Sequence, residues 1–282
     1  MPSHIKPYNN KNKPIIDIDN KLVPKTYFNK VSLKRGEVFT HNVPGHESVC
    51  VLAWGTCDIK VDEEMFSEVG ERQHLWAGKP DSVYVPLDSI ATIMCLTDDA
   101  EIYIAGGLYD KRTKPFRVTP DDSEKVQYGS DDTKTHRKIY HILDQRVAGK
   151  KGRLLVSELF TVGAGGWSGF PPHKHDEDKL PEETAFEEVY YFKFNPSNGF
   201  AAQFAYVNEG DYGPVYHVKD GSTIILDKGY HPVVTAPGYE MYYFTILVGK
   251  TETSLIQCFE KQHIHQLKTI PGLEKMIAKF KK

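Results

Sequence analysis

Four side chains in the second half of the chain have the types and spacing needed for metal chemistry. His173 and His175 stand one residue apart in "GFPPHKHDEDKLPEETAFEEVYYFKF", and Glu188 lies just before the aromatic run of that segment. His231 follows a glycine in "LDKGYHPVV". Residues i and i+2 of a strand point to the same side, so His-x-His delivers two imidazoles to one place. Three histidines and a carboxylate suit a borderline divalent ion such as Zn, Mn, Fe or Ni, with positions left for water or substrate.

The histidine pattern also has a bland interpretation as polar residues on a loop. The chain has 12 histidines, and roughly half an instance of His-x-His is expected by chance at that frequency. His263 and His265 in "QHIHQ" have the same spacing but no preceding Pro or Gly turn and no acid leading into an aromatic strand. We therefore predict that these two lie on the surface, and that context distinguishes the first pair.

The elements that must position the four residues are short strands. Alternating or apolar runs punctuated by Gly, Pro, Asn or Asp recur along the chain, as in "SVCVLAWG", "DSVYVPLD", "EEVYYFKF" and "MYYFTILVG". The order of these runs in the first half parallels that in the second half. We therefore predict an all-β chain with two copies of one antiparallel sandwich or barrel.

The predicted boundary separates residues 1–135, which end in a polar linker (within 110–138), from residues 136–282, which end in a short amphipathic helix. The first copy has His41 and His46 in "FTHNVPGHESVCVL", at a different spacing, and no histidine after the turn in "VYVPLDSIA". Only the second copy is expected to bind metal.

Composition excludes several classes of function. The formal net charge of −3 gives no basic footprint for nucleic acid. No apolar run approaches the length needed to span a bilayer, and the N-terminus has no apolar secretion signal. The four scattered cysteines form no C-x-x-C pair and are typical of buried thiols in a reducing compartment. We expect a cytoplasmic protein that acts on a small molecule; the sequence is compatible with a homo-oligomer and leaves its order open.

The motifs also resemble a known family. His-x-His, the glutamate that leads a strand and the histidine after a Gly turn resemble the two metal motifs of the cupin superfamily, and duplication with one silent copy resembles a bicupin built from two jelly-roll barrels. The segments "GGWSGFPPHKHDEDKLPEETAFEEVYY", "KGYHPVVTAPGYEMYYFTILVG" and "WAGKPDSVYVP" resemble the 5-deoxy-glucuronate isomerases of myo-inositol catabolism. These are relatives of the 4-deoxy-5-threo-hexosulose-uronate ketol-isomerases.

The resemblance implies that His173, His175, Glu188 and His231 bind one divalent ion, with zinc the first expectation and Mn, Fe or Ni the alternatives. Twelve residues separate His175 from Glu188, more than the common cupin spacing, so an inserted loop is expected there. Other acids of the segment stay open as ligands: Glu182, Glu183 and Glu187.

The implied reaction is an aldose-ketose isomerisation that converts 5-deoxy-glucuronate to 2-deoxy-5-ketogluconate. It requires a Lewis acid, a group that moves a proton between adjacent carbons, and a cation that holds the distal carboxylate. Candidate proton-transfer groups are Glu182, Glu183, Tyr190 and Tyr243. Candidate substrate-binding residues are Arg137, as a bidentate carboxylate partner, and Gln203.

Two other functional classes compete with the isomerase. A cupin dioxygenase would use a comparable ligand set around Fe(II), and oxygen uptake would identify it. A non-enzymatic sugar-binding bicupin would turn over no deoxyuronate even when loaded with metal. The sequence departs from the family where Phe204, rather than an arginine, follows Gln203, and where "RKIYHIL" has Tyr140 and His141 in place of a His-Asn pair.

Overall fold

Strands dominate the architecture. A computed structural model describes residues 2–163 and 165–280, the last two by their backbone alone. Two 3-10 turns, Gln145–Val147 and Lys261–His263, and two short helices accompany the strands. The all-β prediction is confirmed. The strands are β1 (Ser3–Ile5), β2 (Pro14–Ile16), β3 (Thr26–Lys34), β4 (Val38–His41), β5 (His46–Trp54), β6 (Cys57–Val61), β7 (Glu64–Val69), β8 (Asp81–Val85), β9 (Ala91–Cys95), β10 (Asp99–Leu108), β11 (Phe116–Val118), β12 (Glu124–Tyr128), β13 (Arg137–Leu143), β14 (Leu154–Thr161), β15 (Gly166–Ser168), β16 (His173–Lys174), β17 (Phe186–Asn195), β18 (Phe200–Phe204), β19 (Val215–Lys219), β20 (Thr223–Leu226), β21 (Val233–Thr235), β22 (Glu240–Gly249) and β23 (Cys258–Phe259); the helices are α1 (Gln266–Thr269) and α2 (Leu273–Phe280).

The chain divides into two compact units that we call the first and second barrels. The first barrel comprises Asn9–Glu124 and Tyr140–Val156, and the second comprises Met1–Tyr8, Lys125–Ile139 and Ser157–Lys282. This division is more interleaved than a single boundary at 135/136. The chain crosses between the units several times because terminal and connecting strands add to sheets built from distant segments.

Specific contacts hold the interleaved segments in place. Strand β1 pairs with β20, which assigns the N-terminus to the second barrel. In the first barrel, the buried Glu47 carboxylate accepts hydrogen bonds from the backbone N–H groups of Gly152 (2.7 Å) and Leu154 (2.8 Å). The polar stretch 110–138, interpreted from sequence as a linker, contains the strands β11 and β12 and the start of β13.

Both barrels repeat one strand plan. The large sheet of the first barrel has the order β11-β8-β5-β10-β3-β2, and the corresponding sheet of the second has β1-β20-β17-β22-β14-β13-β12. The small sheets have the orders β4-β9-β6-β7 and β15-β21-β18-β19. Strand for strand, β8-β5-β10 corresponds to β20-β17-β22, and β9-β6-β7 corresponds to β21-β18-β19. The predicted internal duplication is visible in this repeated order.

Strand alternation sets what faces each barrel interior. In β17, Tyr190 and Phe192 belong to the core of the second barrel, and Glu188 shares their face by the two-residue period. In β5, Cys50 and Leu52 belong to the core of the first barrel, which places Ser48 on the same inner face. Both strands are buried at almost every position, which explains their nearly continuous apolar sequence.

The C-terminal segment is predicted from sequence to form a short amphipathic helix. The predicted short helix is confirmed as α2, with Leu273 buried and Met276 and Ile277 half-buried, whereas the side chain of Phe280 lies outside the described residues. Within the described ranges, no helix combines the length and apolar character needed to cross a membrane.

Candidate metal centre

The histidine segment lies between β15 and β17, where the second barrel carries an insertion. Strand β16 pairs antiparallel with β23, with His173 opposite Phe259. His175 follows two residues later, so both imidazoles share a direction. His231 lies in the turn between β20 and β21, after Gly229, whose φ of 83° favours glycine. A Cβ at Gly229 would collide with the backbone carbonyl of Tyr206, so this turn, and with it the position of His231, requires glycine.

These elements bring the predicted ligands together in a buried cluster. One ring nitrogen from each of His173, His175 and His231 lies within 4.8 Å of the others. The Glu188 Oε2 atom is 3.0 Å from His175 Nε2 and 3.2 Å from His231 Nε2. Each of the four residues is at most 8% exposed. Among the described residues, no group of three or more His, Cys, Asp or Glu outside this cluster is arranged to hold a metal ion.

The hydrogen bonds of the histidines fit a metal centre. The Nδ1 atom of His231 lies 2.8 Å from the Gly229 carbonyl, and that of His173 lies 3.3 Å from the Pro171 carbonyl. An Nδ1–H that donates to a carbonyl leaves the Nε2 lone pair for a metal, which is the usual outer arrangement around ligating histidines. The buried Nε2 of His231 has no hydrogen-bond partner of good geometry. A divalent ion would satisfy that atom, so the donor set fits the group that the fold implies.

Burial and mutual contacts shift the pKa values of two members of the cluster. Burial, together with His231 and His175, lowers the pKa of His173 to about 3. Burial alone would raise the pKa of Glu188, but its contacts with His175 and His231 outweigh burial and hold that pKa well below its usual range. Neutral imidazole at His173 and an ionised carboxylate at Glu188 are the protonation states that bind metal.

A charged network fixes the loop that carries the histidines. The Lys174 ammonium contacts Asp176 Oδ1 at 2.7 Å and Glu183 Oε2 at 2.9 Å. The Glu183 Oε1 atom also accepts the backbone N–H groups of Asp176 (2.7 Å) and Glu177 (3.0 Å). Asp176 Oδ2 accepts the N–H of Gly229 at 3.0 Å. The network therefore ties His-x-His to the turn that presents His231.

Beside the cluster, the interior of the second barrel is lined by the hydroxyls of Tyr190 and Tyr243 and by the guanidinium of Arg137. Tyr190 and Tyr243 pack with ring centroids 4.5 Å apart, and Tyr190 lies 6.2 Å from the His231 ring. Burial and the Glu188 charge raise the pKa of Tyr190 well above its ordinary value. The Tyr243 hydroxyl accepts a hydrogen bond from Arg137 (3.0 Å) and shares another with Ser168.

Arg137 is a buried cation without a carboxylate. The residue is 1% exposed, its Nε has no hydrogen-bond partner, and within the described part of the chain no Asp or Glu forms an ion pair with it. An arginine is rarely buried in this state unless an anion completes its surroundings. The guanidinium lies 5.7 Å from the Tyr243 ring centroid, which offers partial compensation.

Gln203 has a different environment from that expected for a substrate-binding residue. Its buried amide donates to the backbone carbonyls of His231 (2.7 Å) and Pro232 (3.1 Å). Its donors therefore fix the His231 turn, while its buried Oε1 has no partner. A substrate contact at Gln203 stays a prediction, with that oxygen as its one free atom.

The structure distinguishes the four glutamates that the sequence offers as candidate ligands. Glu188 contacts the histidines, whereas Glu187 points to the opposite face of β17 by strand alternation. Glu183 is buried and engaged with Lys174, and Glu182 is exposed. Proton transfer by Glu182 or Glu183 stays a prediction that this geometry favours less than the role of the two tyrosines.

Sequence reasoning missed the C-terminal strap, which we define as residues 250–263. Gln257 of the strap places its side-chain amide 2.9 Å from His173 Nε2, and Phe259 packs with its ring 5.6 Å from that of His173. The predicted surface residue His263 is half-buried against Phe170, whereas His265 is exposed as expected. The sequence of the strap contains no recognisable motif. Gln257 and Phe259 reach the site because β23 pairs with β16.

Sequence comparisons place the chain beside a set of sugar-acid enzymes. A family model described as the KduI/IolB family matches residues 3–266. A 5-deoxy-glucuronate isomerase from Geobacillus kaustophilus is 34% identical over 223 residues, which is 78% of each chain. A protein of the same name from Listeria innocua is 30% identical over 251 residues, covering 86% of this chain and 90% of the relative.

Solved structures agree with the duplicated fold. The crystal structure of an IolB-like protein from Salmonella typhimurium LT2 is 28% identical, with a TM-score of 0.78 over 85% of this chain and 89% of the other. An oxalate decarboxylase from Lactobacillus farciminis, at 11% identity, matches 94% of this chain and 87% of its own with a TM-score of 0.62. The latter likeness concerns the fold alone. The predicted all-β bicupin architecture is confirmed.

Proposed function

Because this chain belongs to the KduI/IolB family, we propose that it is a metal-dependent isomerase that converts 5-deoxy-glucuronate to 2-deoxy-5-ketogluconate. One observation supports this most directly. The second barrel combines a buried histidine-glutamate cluster with a buried arginine that lacks a carboxylate partner. A six-carbon uronate needs such a pair, since its reacting carbonyl and its carboxylate are at opposite ends.

The proposed ligands are His173, His175, His231 and Glu188, and zinc is the first candidate, ahead of manganese, iron and nickel. A divalent ion bound there would act as a Lewis acid that polarises the carbonyl and neighbouring hydroxyl of the sugar. The protein's part is to present three imidazoles and one carboxylate, with the tautomers of His173 and His231 and the position of the His231 turn fixed by neighbouring groups. The carbonyls of Pro171 and Gly229 and the amide of Gln203 serve that purpose.

Arg137 is the proposed partner of the substrate carboxylate. Its unpartnered Nε and the planar fork of the guanidinium can donate two parallel hydrogen bonds to a carboxylate. Tyr243 already accepts one hydrogen bond from this guanidinium, which holds the fork in place. Desolvation of the arginine makes an uncharged substrate end unfavourable, so this residue favours sugar acids over neutral sugars.

Tyr190 and Tyr243 are the proposed proton-transfer groups. Both hydroxyl-bearing rings lie on the inner face between the histidine cluster and Arg137, where the carbon chain of the substrate would extend. Burial raises the pKa of both residues, so each is a protonated donor at neutral pH. In that state one hydroxyl donates its proton to the carbonyl oxygen of the substrate and is reprotonated by the proton that leaves the neighbouring sugar hydroxyl, so both tyrosines return to their starting state.

The test is direct assay of the purified zinc-loaded protein with 5-deoxy-glucuronate, followed by proton NMR of the product. We expect loss of the aldehyde signal and formation of the 5-keto acid without oxygen consumption. Turnover in D2O distinguishes two routes for the carbon-bound hydrogen: deuterium at the receiving carbon indicates an enediol, and its complete absence indicates a 1,2-hydride shift. A fully metallated protein that leaves 5-deoxy-glucuronate unchanged would refute the proposal.

The four free cysteines are consistent with the cytoplasm as the expected location.

A further inference from the structure

The C-terminal strap is fastened to the metal centre on several sides. Thr184, which precedes β17, pairs with the strap through its N–H to the Ile256 carbonyl (3.1 Å) and its hydroxyl to the Ser254 carbonyl (3.0 Å). At the other end, the Glu260 N–H donates to the Pro172 carbonyl at 2.9 Å. Gln257 lies between these two anchors, so its backbone is held in position.

Glu260 makes the second anchor a strong one. Its fully buried side chain accepts the Tyr206 hydroxyl at 2.5 Å and the Gly210 N–H at 2.9 Å. Charge-assisted hydrogen bonds of this kind are about twice as strong as neutral ones. The carboxylate therefore joins the strap to the loop after β18, on the side of the barrel that also carries the His231 turn.

Gln257 directs its amide at the nitrogen that a metal would use. The His173 Nδ1 atom faces the Pro171 carbonyl, so the lone pair of the ring is at Nε2, and the Gln257 N–H donates to it across 2.9 Å. One lone pair cannot accept a hydrogen bond and coordinate a cation at the same time. Metal binding at His173 must therefore release the Gln257 amide while the anchored backbone keeps that amide beside the site.

We propose that Gln257 is a substrate-contact residue with two partners: it hydrogen-bonds His173 until a metal takes Nε2, and it then binds a hydroxyl or carbonyl oxygen of the sugar held at the metal. The second half of this statement rests on the proposed function. An amide suits the task because it offers both donors and an acceptor to a hydroxyl-rich ligand. The strap supplies rigidity, which limits the entropy lost when substrate binds.

The experiment compares the wild-type protein with Gln257→Leu and with Gln266→Leu, a control that makes the same chemical change elsewhere in the C-terminal segment. Zinc affinity is measured by competition with a chromogenic chelator, with no substrate present. We expect Gln257→Leu to lower the zinc dissociation constant about fivefold, because one competing hydrogen bond is lost. We expect KM for 5-deoxy-glucuronate to rise about tenfold with kcat within about threefold of wild type. The control should leave both constants unchanged.

A second variant protects the test against a trivial loss of folding. Gln257→Glu places an anionic oxygen beside the cluster and should tighten zinc binding by more than about tenfold, since carboxylates are good zinc ligands. Unchanged zinc affinity in both variants, or a wild-type KM in Gln257→Leu, would overturn the inference. Absence of turnover in zinc-loaded wild-type protein would instead overturn the proposed function and with it the substrate half, while the zinc titrations would still decide the role of Gln257 toward His173.

Discussion

The two barrels share one strand plan and differ in what they place inside it. Ser48 is the third residue of β5 and pairs with the last residue of β8; Glu188 is the third residue of β17 and pairs with the last residue of β20. By the same register, Cys50 of β5 is equivalent in position to Tyr190 of β17. At these two positions the first barrel carries the small side chains of Ser48 and Cys50, where the second carries the proposed ligand Glu188 and the hydroxyl of Tyr190.

A difference in loop length accompanies the difference in side chains. Between β4 and β5 the first barrel has only residues 42–45, whereas between β15 and β17 the second has residues 169–185. That insertion supplies His173, His175 and the charged network around Lys174. Both barrels share the same scaffold of strands. The functional side chains of the second barrel come largely from the long loop that the first barrel lacks.

The largest effect is expected from the ligand that comes from across the barrel. His231→Ala should remove nearly all bound zinc and lower kcat by at least about 1,000-fold, because the ion loses a ligand and the reaction its Lewis acid. The same substitution at a buried histidine of the first barrel, His41→Ala, should retain full metal content. Elemental analysis and steady-state kinetics measure both. Full metal occupancy in His231→Ala would show that the centre lies elsewhere.

A pair of arginines provides the next comparison. Arg137 of the second barrel has no carboxylate partner, whereas Arg117 of the first forms a bidentate pair with Asp81, at 3.0 and 2.6 Å. Arg137→Met should raise KM for the uronate about 100-fold, since the carboxylate loses a charged partner. Arg117→Met should lower the free energy of unfolding and leave KM unchanged. Equal KM effects from the two variants would remove the distinction between substrate clamp and structural ion pair.

Placing a glutamate in the first barrel at the position equivalent to Glu188 tests whether this one side chain is enough to create a metal site there. Ser48→Glu would bury a carboxylate in a largely apolar interior, on the strand face that also carries His46, whose pKa burial lowers, and we expect the free energy of unfolding to fall by about 2 kcal/mol. Metal stoichiometry should stay at one per chain, because the first barrel has no histidine in the turn between β8 and β9, which corresponds to the His231 turn. Urea denaturation and elemental analysis measure the two quantities. A second equivalent of bound zinc would contradict this view of the first barrel.

The smallest expected effect concerns a histidine that does not bind metal. Burial, with a smaller contribution from His46, lowers the pKa of His41 to about 4. The folded-state pKa lies below the unfolded value of 6.5, so as pH falls the unfolded chain takes up the proton first, and stability is lost between about pH 6.5 and 4. His41→Leu should abolish about 1 kcal/mol of the stability lost between pH 7 and 5.5. Denaturation of both proteins at the two pH values tests this, and identical pH slopes would contradict it.

The sequence was sufficient to predict the fold and the residues that the structure brings together as the proposed metal ligands, for identifiable reasons. Strand periodicity and the repeated order of apolar runs follow from local rules, and His173, His175 and His231 follow turns that the sequence marks with Pro or Gly. Glu187 stayed open beside Glu188 because the inserted loop hid their distances from the histidines, and the contacts of Glu188 with His175 and His231 distinguish the two in the structure.

The remaining features depend on contacts between distant parts of the chain. Gln257 has no motif, and its amide reaches His173 only because β23 pairs with β16. Gln203 was predicted to contact substrate, but its donors go to the backbone of the His231 turn. The interleaving of the units depends on the pairing of β1 with β20 and on the hydrogen bonds that Glu47 accepts from Gly152 and Leu154. Neither long-range contact leaves a periodic signal in its own segment.

The pairing of β1 with β20 also constrains how the protein is made. In the first barrel the edge of β8 is covered by β11, which leaves the ribosome soon after it; in the second, the edge of β20 is covered by a strand that was synthesised first. Ser3 pairs with Ile225, about 220 residues later, and at ~5–20 residues per second the partner emerges roughly 10 to 40 s after Ser3. Throughout that interval β1 lacks the partner that it has in the folded protein, so a mutation that delays synthesis of the second half would prolong the exposure of this strand without altering the finished enzyme.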